Sequence, residues 1–89
     1  MKLDLQWSRE ALGDLKTLSQ EIADRIIKKV VWFSAQKDPL NHATSLTGVY
    51  AGVYRFRVGD YRVLFEKNTA GQLVVLLILR VKHRREVYR

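Results

Sequence analysis

Polar and apolar residues alternate from Lys2 to Trp7, with Leu3, Leu5 and Trp7 on one face and Lys2, Asp4 and Gln6 on the other. A period of two predicts a short strand with one buried face. After Ser8 the period lengthens. Ala11, Leu12, Leu15 and Leu18 recur at helical spacing, Ser8 suits an N-cap, and Glu10 sits where the helix dipole favours a carboxylate. Trp7 and Leu12 occupy the two positions of a hydrophobic staple. The helix is expected to run to about Leu18, weakened by up to about 1 kcal/mol at Gly13. Ser19 caps a second helix, with Glu21 and Asp24 in its opening turns and Ile22, Ile26, Ile27, Val30 and Phe33 as its buried stripe. Trp32 on this helix reads as packing. Pro39 ends the helix, because the residue before a proline avoids helical angles. Two helices joined this closely predict an antiparallel hairpin.

Beyond Pro39 the pattern is that of a sheet. Tyr54-Arg55-Phe56-Arg57-Val58 alternates, placing Arg55 and Arg57 on one face, and Gly59-Asp60 suits a two-residue turn. Tyr61 to Glu66 returns as the partner strand, with Arg62 across the hairpin. Asn68 to Gly71 supplies the next turn. Leu73 to Lys82 is apolar on both faces for most of its length, which predicts a central strand. Arg80 and Lys82 share one of its faces, and His83 to Arg89 forms a polar tail. The expected fold is α+β: an N-terminal strand, a helix hairpin, then a three-stranded antiparallel meander, with the helices on one face of a small sheet. Residues 1–89 form one domain, since 89 residues are too few for two.

Charge changes the picture more than length does. The formal net charge is +7, with a pI near 10.1. Residues 1–53 hold seven Lys/Arg and six Asp/Glu, whereas residues 54–89 hold nine and three. A half that is itself a cation points to a polyanionic partner, because each phosphate contact releases condensed counterions. There is no cysteine, which excludes disulfides, thiolate nucleophiles and sulfur-ligated zinc. The N-terminus lacks the layout of a signal peptide, and the longest apolar run, Leu73 to Leu79, falls far short of the roughly 20 residues that span a bilayer. A cytoplasmic location without a membrane partner is expected.

Among catalytic constellations, glycine-rich phosphate loops, serine elbows and metal-ligand spacings around His42 or His83 are all missing. No cofactor and no metal is expected. The sequence offers clustered cations with aromatics between them: Arg55, Arg57, Arg62, Arg80, Lys82, His83, Arg84, Arg85 and Tyr88. A guanidinium matches two phosphate oxygens at once and keeps its charge. An aromatic among them can stack on an unpaired base. RNA is also cut without a metal, by attack of its own 2′-OH on the adjacent phosphorus.

The segment Tyr54-Arg55-Phe56-Arg57-Val58-Gly59-Asp60-Tyr61-Arg62, with Glu66 and then His83-Arg84-Arg85-Glu86-Val87-Tyr88, resembles the RelE-type toxins of the RelE/ParE superfamily. The opening strand and helix pair extend the resemblance over nearly the whole chain. It implies the toxin of a type II toxin–antitoxin system, a ribosome-dependent endoribonuclease that cleaves mRNA in the A site of the 70S ribosome. It also implies a cognate antitoxin and operator DNA bound only through the antitoxin complex. On this resemblance Arg55 and Arg57 match the basic pair of the first meander strand, Arg62 the phosphate-holding arginine and Tyr88 the base-stacking aromatic. Arg84 or Arg85 matches the arginine before the final motif, and Arg80 and Lys82 join the RNA-binding surface. The best-studied enzyme of this kind carries lysines where this chain has Arg55 and Arg57, and an arginine, which stays protonated far above neutrality, cannot deprotonate a 2′-OH there. His83 is the expected substitute as proton acceptor, with Glu66 and Glu86 next. The same superfamily allows two other readings: a ParE-like poison of DNA gyrase that acts by protein contact, and an inactive operator-binding partner.

Overall fold

The structure is a computed structural model and describes residues 2–87. Strand β1 (Lys2–Trp7) is followed by helices α1 (Arg9–Lys16) and α2 (Gln20–Ser34). Ser8 and Ser19 cap the two helices, their side chains accepting from the Ala11 and Ile22 amides. A short strand β2 (Ala43–Ser45) precedes β3 (Val53–Val58), β4 (Tyr61–Ala70), β5 (Leu73–His83) and a single C-terminal turn, α3 (Arg84–Val87). The sheet runs β1-β5-β4-β3-β2, so β5 is central as its two-sided apolar character predicts. β1 pairs with it in parallel and every other pairing is antiparallel. β2 is a fifth strand that the sequence pattern did not reveal. Gly59 at φ +57° and Gly71 at φ +58° make the turns into β4 and β5, where a residue with a Cβ would be strained. Among the described residues no helix is long and apolar enough to cross a membrane.

Both long helices pack on one face of the sheet, α1 against β5 and α2 against β1 and β3. The buried core joins Ala11, Leu15, Ile26, Val30 and Phe33 of the helices to Phe56, Val63, Phe65, Leu76, Ile78 and Val81 of the strands. Its centre is a ladder of stacked rings, with Phe33 4.7 Å from Phe56 and Phe56 4.2 Å from Phe65.

One irregularity decides which side chains face which way. Leu64 pairs with Arg80 but Phe65 pairs with Ile78, so Leu79 is an extra residue in β5. Val74, Leu76 and Ile78 face the helices, and after the bulge Val81 resumes that role. Lys82 is thereby placed opposite Arg62 on the other face, while His83 is placed opposite Tyr61 on the helix-covered side.

β1 ends opposite Ile78, which leaves the next stretch of β5 without a strand neighbour on that edge. The start of α1 fills this edge. The Ser8 amide donates to the Ile78 carbonyl at 2.8 Å, the Ser8 hydroxyl donates to the Leu79 carbonyl at 2.8 Å, and Asp14 accepts from the Val81 amide at 2.8 Å. Arg80 completes the junction with a bidentate pair to Asp14, both hydrogen bonds at 2.9 Å.

Candidate functional site

The face away from the helices carries the cations. Phe56 and Val58 point into the core, so alternation turns Arg55 and Arg57 outward. Arg57 is directly opposite Arg62 in β4, and Arg62 is directly opposite Lys82 in β5. Three adjacent strands therefore present a row of like charges across the sheet. Like charges at cross-strand positions repel, so the arrangement costs stability unless something negative is supplied.

Arg62 is the centre of this row. Its residue is only 8% exposed, yet its Nε is buried with no hydrogen-bond partner among the described residues. Its Nη1 makes only long contacts, 3.4 Å to the Gly59 carbonyl and 3.3 Å to the Tyr61 carbonyl. Burial pushes the guanidinium pKa down, and the neighbouring charges of Arg57, Arg55 and Arg84 push it further, against a weak pull upward from Asp60. Folded proteins rarely bury a cation without pairing it.

The C-terminal turn closes one side of the cluster. The Arg84 amide donates to the Asp60 carbonyl at 2.7 Å, and its guanidinium stands 3.8 Å from the Asp60 carboxylate. Lys82 Nζ stands 3.6 Å from Glu86 Oε2. These contacts bring Arg84, rather than Arg85, to the Arg62 cluster. The Arg85 amide instead donates to His83 Nδ1 at 3.3 Å.

The other sequence candidates are dispersed. His83 meets the Tyr61 ring edge-on at 5.3 Å on the far side of the strand from Lys82. Arg80 is committed to Asp14, and its pKa is raised first by that hydrogen bond, against the burial that lowers it. Glu66 lies on the cationic face four residues along β4 from Arg62, about 13 Å at strand rise. Glu86 is the carboxylate beside the cluster. Tyr88 lies outside the described residues. A strand-period reading finds the row of arginines, but the bulge at Leu79, which puts Lys82 and not His83 on the face of Arg62, has no sequence signature.

The ParE toxin model, described as the ParE toxin of the type II toxin–antitoxin system parDE, matches residues 5–88. The chain is also similar to the toxin–antitoxin complex RelBE2 from Mycobacterium tuberculosis. Identity there is 30%, with 94% of this chain and 100% of that chain covered at a TM-score of 0.70. The RelB–RelE antitoxin–toxin complex from Methanococcus jannaschii shares the fold at 24% identity, with 93% and 94% covered and a TM-score of 0.62. So does the chromosomal ParDE system from P. aeruginosa at 17% identity, with 91% and 95% covered and a TM-score of 0.66. No curated protein matches the chain in sequence. With one family model matched from the first strand to the C-terminal motif, the chain belongs to the ParE toxin family and is a toxin of the type II toxin–antitoxin class.

Proposed function

We propose that this toxin is a metal-independent endoribonuclease that cuts mRNA in the ribosomal A site and is held in check by a cognate antitoxin. The observation that carries the proposal is Arg62: a buried guanidinium with an unpartnered Nε, ringed by Arg57, Arg55 and Arg84. A phosphodiester docked at this cluster neutralises the repulsion among the arginines. In the reaction the 2′-oxygen forms a bond to the adjacent phosphorus and the bond from phosphorus to the 5′-oxygen breaks. Charge accumulates on the phosphoryl oxygens as this happens. Fixed guanidinium donors at that point stabilise the transition state more than the ground state.

The 2′-OH proton needs an acceptor, and we assign it to Glu86. Its carboxylate is held by Lys82 at 3.6 Å beside the cluster, whereas His83 faces Tyr61. The leaving 5′-oxygen takes its proton from water on the open face. Glu86→Gln should lower single-turnover cleavage by about 10²–10⁴-fold, with RNA affinity retained.

Poisoning of gyrase by protein contact is the competing reading, and the parDE description of the family favours it. Such a mechanism has no use for a buried arginine deprived of acceptors. Primer extension on a defined mRNA in a purified translation system separates the two. New 5′ ends within the A-site codon are expected. Intact message together with inhibited supercoiling would move the assignment to gyrase.

A further inference from the structure

Beside the cationic face runs a groove of about 780 Å³, between the outer side of α2 and the β3–β4 turn. Arg25, Lys28, Lys29 and Trp32 line it from α2, and Arg57 and Gly59 line it at the turn. β2 pairs with β3 only between Ser45 and Ala43, opposite Tyr54 to Phe56, which leaves the edge of β3 open at Arg57. Arg57 therefore belongs both to the row opposite Arg62 and to the groove.

Trp32 does not pack as the helical pattern predicts. It is 49% exposed, with its edges against Phe33 and His42, both at 5.5 Å between ring centres. Lys29 Nζ sits 4.7 Å from the indole centroid. The groove is also cationic. Its four positive side chains outnumber the two carboxylates, Glu21 and Asp24, which lie in the opening turns of α2, away from Trp32. Of these, Glu21 is already engaged by Arg25 at 3.8 Å.

We infer that this groove holds the substrate RNA strand on one side of the reacting phosphate, with its backbone along Arg25, Lys28 and Lys29 and a base stacked at Trp32. The inference rests on the RNA reading of the Arg62 cluster. Cations following one another along a groove, with an aromatic among them, form the pattern that tracks a single strand without reading its sequence. Continuity through Arg57 favours one polyanion engaging both surfaces over a separate acidic protein segment.

The test uses RNA made uncleavable by 2′-O-methylation, as a trinucleotide and as a dodecanucleotide, titrated against salt. For the wild type, the longer strand should bind with the steeper salt dependence. The triple variant Arg25→Gln, Lys28→Gln, Lys29→Gln should lose about 2 from the log–log slope for the longer strand, at about 0.7 per phosphate contact, and bind the trinucleotide unchanged. All three side chains are exposed, so the core is untouched. Tryptophan fluorescence should be quenched by the longer strand and should cease to respond in Trp32→Phe, which leaves only Trp7. An unaltered slope for the longer strand would overturn the inference while leaving the cleavage reading in place. Lost antitoxin affinity with intact RNA binding would overturn it in favour of a protein dock. Failure of the wild type to bind either strand at low salt would overturn the RNA reading itself.

Discussion

Two arginines on neighbouring strands meet opposite fates. Where α1 closes the edge of β5, Arg80 makes two 2.9 Å hydrogen bonds to Asp14, which raise its pKa. At the β3–β4 turn, Arg62 is more deeply buried, has only long carbonyl contacts and faces three like charges, so that its pKa is lowered. The first junction is closed by the chain's own acceptors. The second lacks them, although Asp60 and Glu86 stand nearby, because those carboxylates are turned toward Arg84 and Lys82. An arginine satisfied by the fold contributes to stability, whereas one left short of acceptors is poised for an external anion. That is the exchange of stability for function expected at an active site.

Replacing each member should separate these roles. Arg62→Met removes a buried cation whose Nε has no partner and, on the proposed reading, the donor to the phosphoryl group. Cleavage should fall by about 10²–10³-fold, as when one oxyanion donor is lost, while the thermal midpoint holds or rises. A fall in midpoint with cleavage intact would erase the distinction. Asp14→Ala should do the reverse. Leaving the Val81 amide and Arg80 without their acceptor should cost about 1–3 kcal/mol, toward the lower end because Arg80 is partly solvated, with little change in single-turnover rate. Denaturant titration of both variants checks this.

Acid should reach the α1 junction before it reaches the arginines. Burial alone would raise the Asp14 pKa, but hydrogen bonds from Arg80 and the Val81 amide, with the charges of Arg80 and Lys82, bring it below the ordinary 3.8. A carboxyl depressed in the folded state adds stability above its unfolded pKa and loses it as pH falls through the folded value. The stability gap between wild type and Asp14→Asn should therefore be full above about pH 5 and shrink below about pH 4. A gap unchanged at low pH would show that the carboxylate charge is not what holds the junction. The smallest effect belongs to Arg57→Gln, which should flatten the salt dependence of RNA binding by about 0.7 in log–log slope.

Much of this organisation is legible in the sequence. The serine caps, the Gly59 turn and the outward pair Arg55 and Arg57 follow from local chemistry that tertiary contacts do not override, whereas Asn68 to Ala70, expected in a turn, continue β4 by pairing with β5. β2 escapes because three residues, Ala43 to Ser45, are too short to show a period. Commitment of Arg80 to Asp14 escapes because the partners are 66 residues apart. The bulge at Leu79 lies inside an unbroken apolar run, where an extra residue disturbs no polar pattern, and so which of Lys82 and His83 faces Arg62 is invisible in the chain. Exposure of Trp32 is equally hidden, since helical spacing places it without saying what covers it.

The central claim is that Arg62, and not Arg80, is the guanidinium kept for an anion. The most direct measurement follows the Nε–H resonances of both arginines by ¹⁵N NMR during titration with uncleavable, 2′-O-methylated RNA. The account predicts that the Arg62 Nε–H shifts and gains protection from exchange as the strand binds, while that of Arg80 stays where Asp14 holds it. RNA binding that leaves Arg62 unmoved, or moves Arg80 instead, would contradict it.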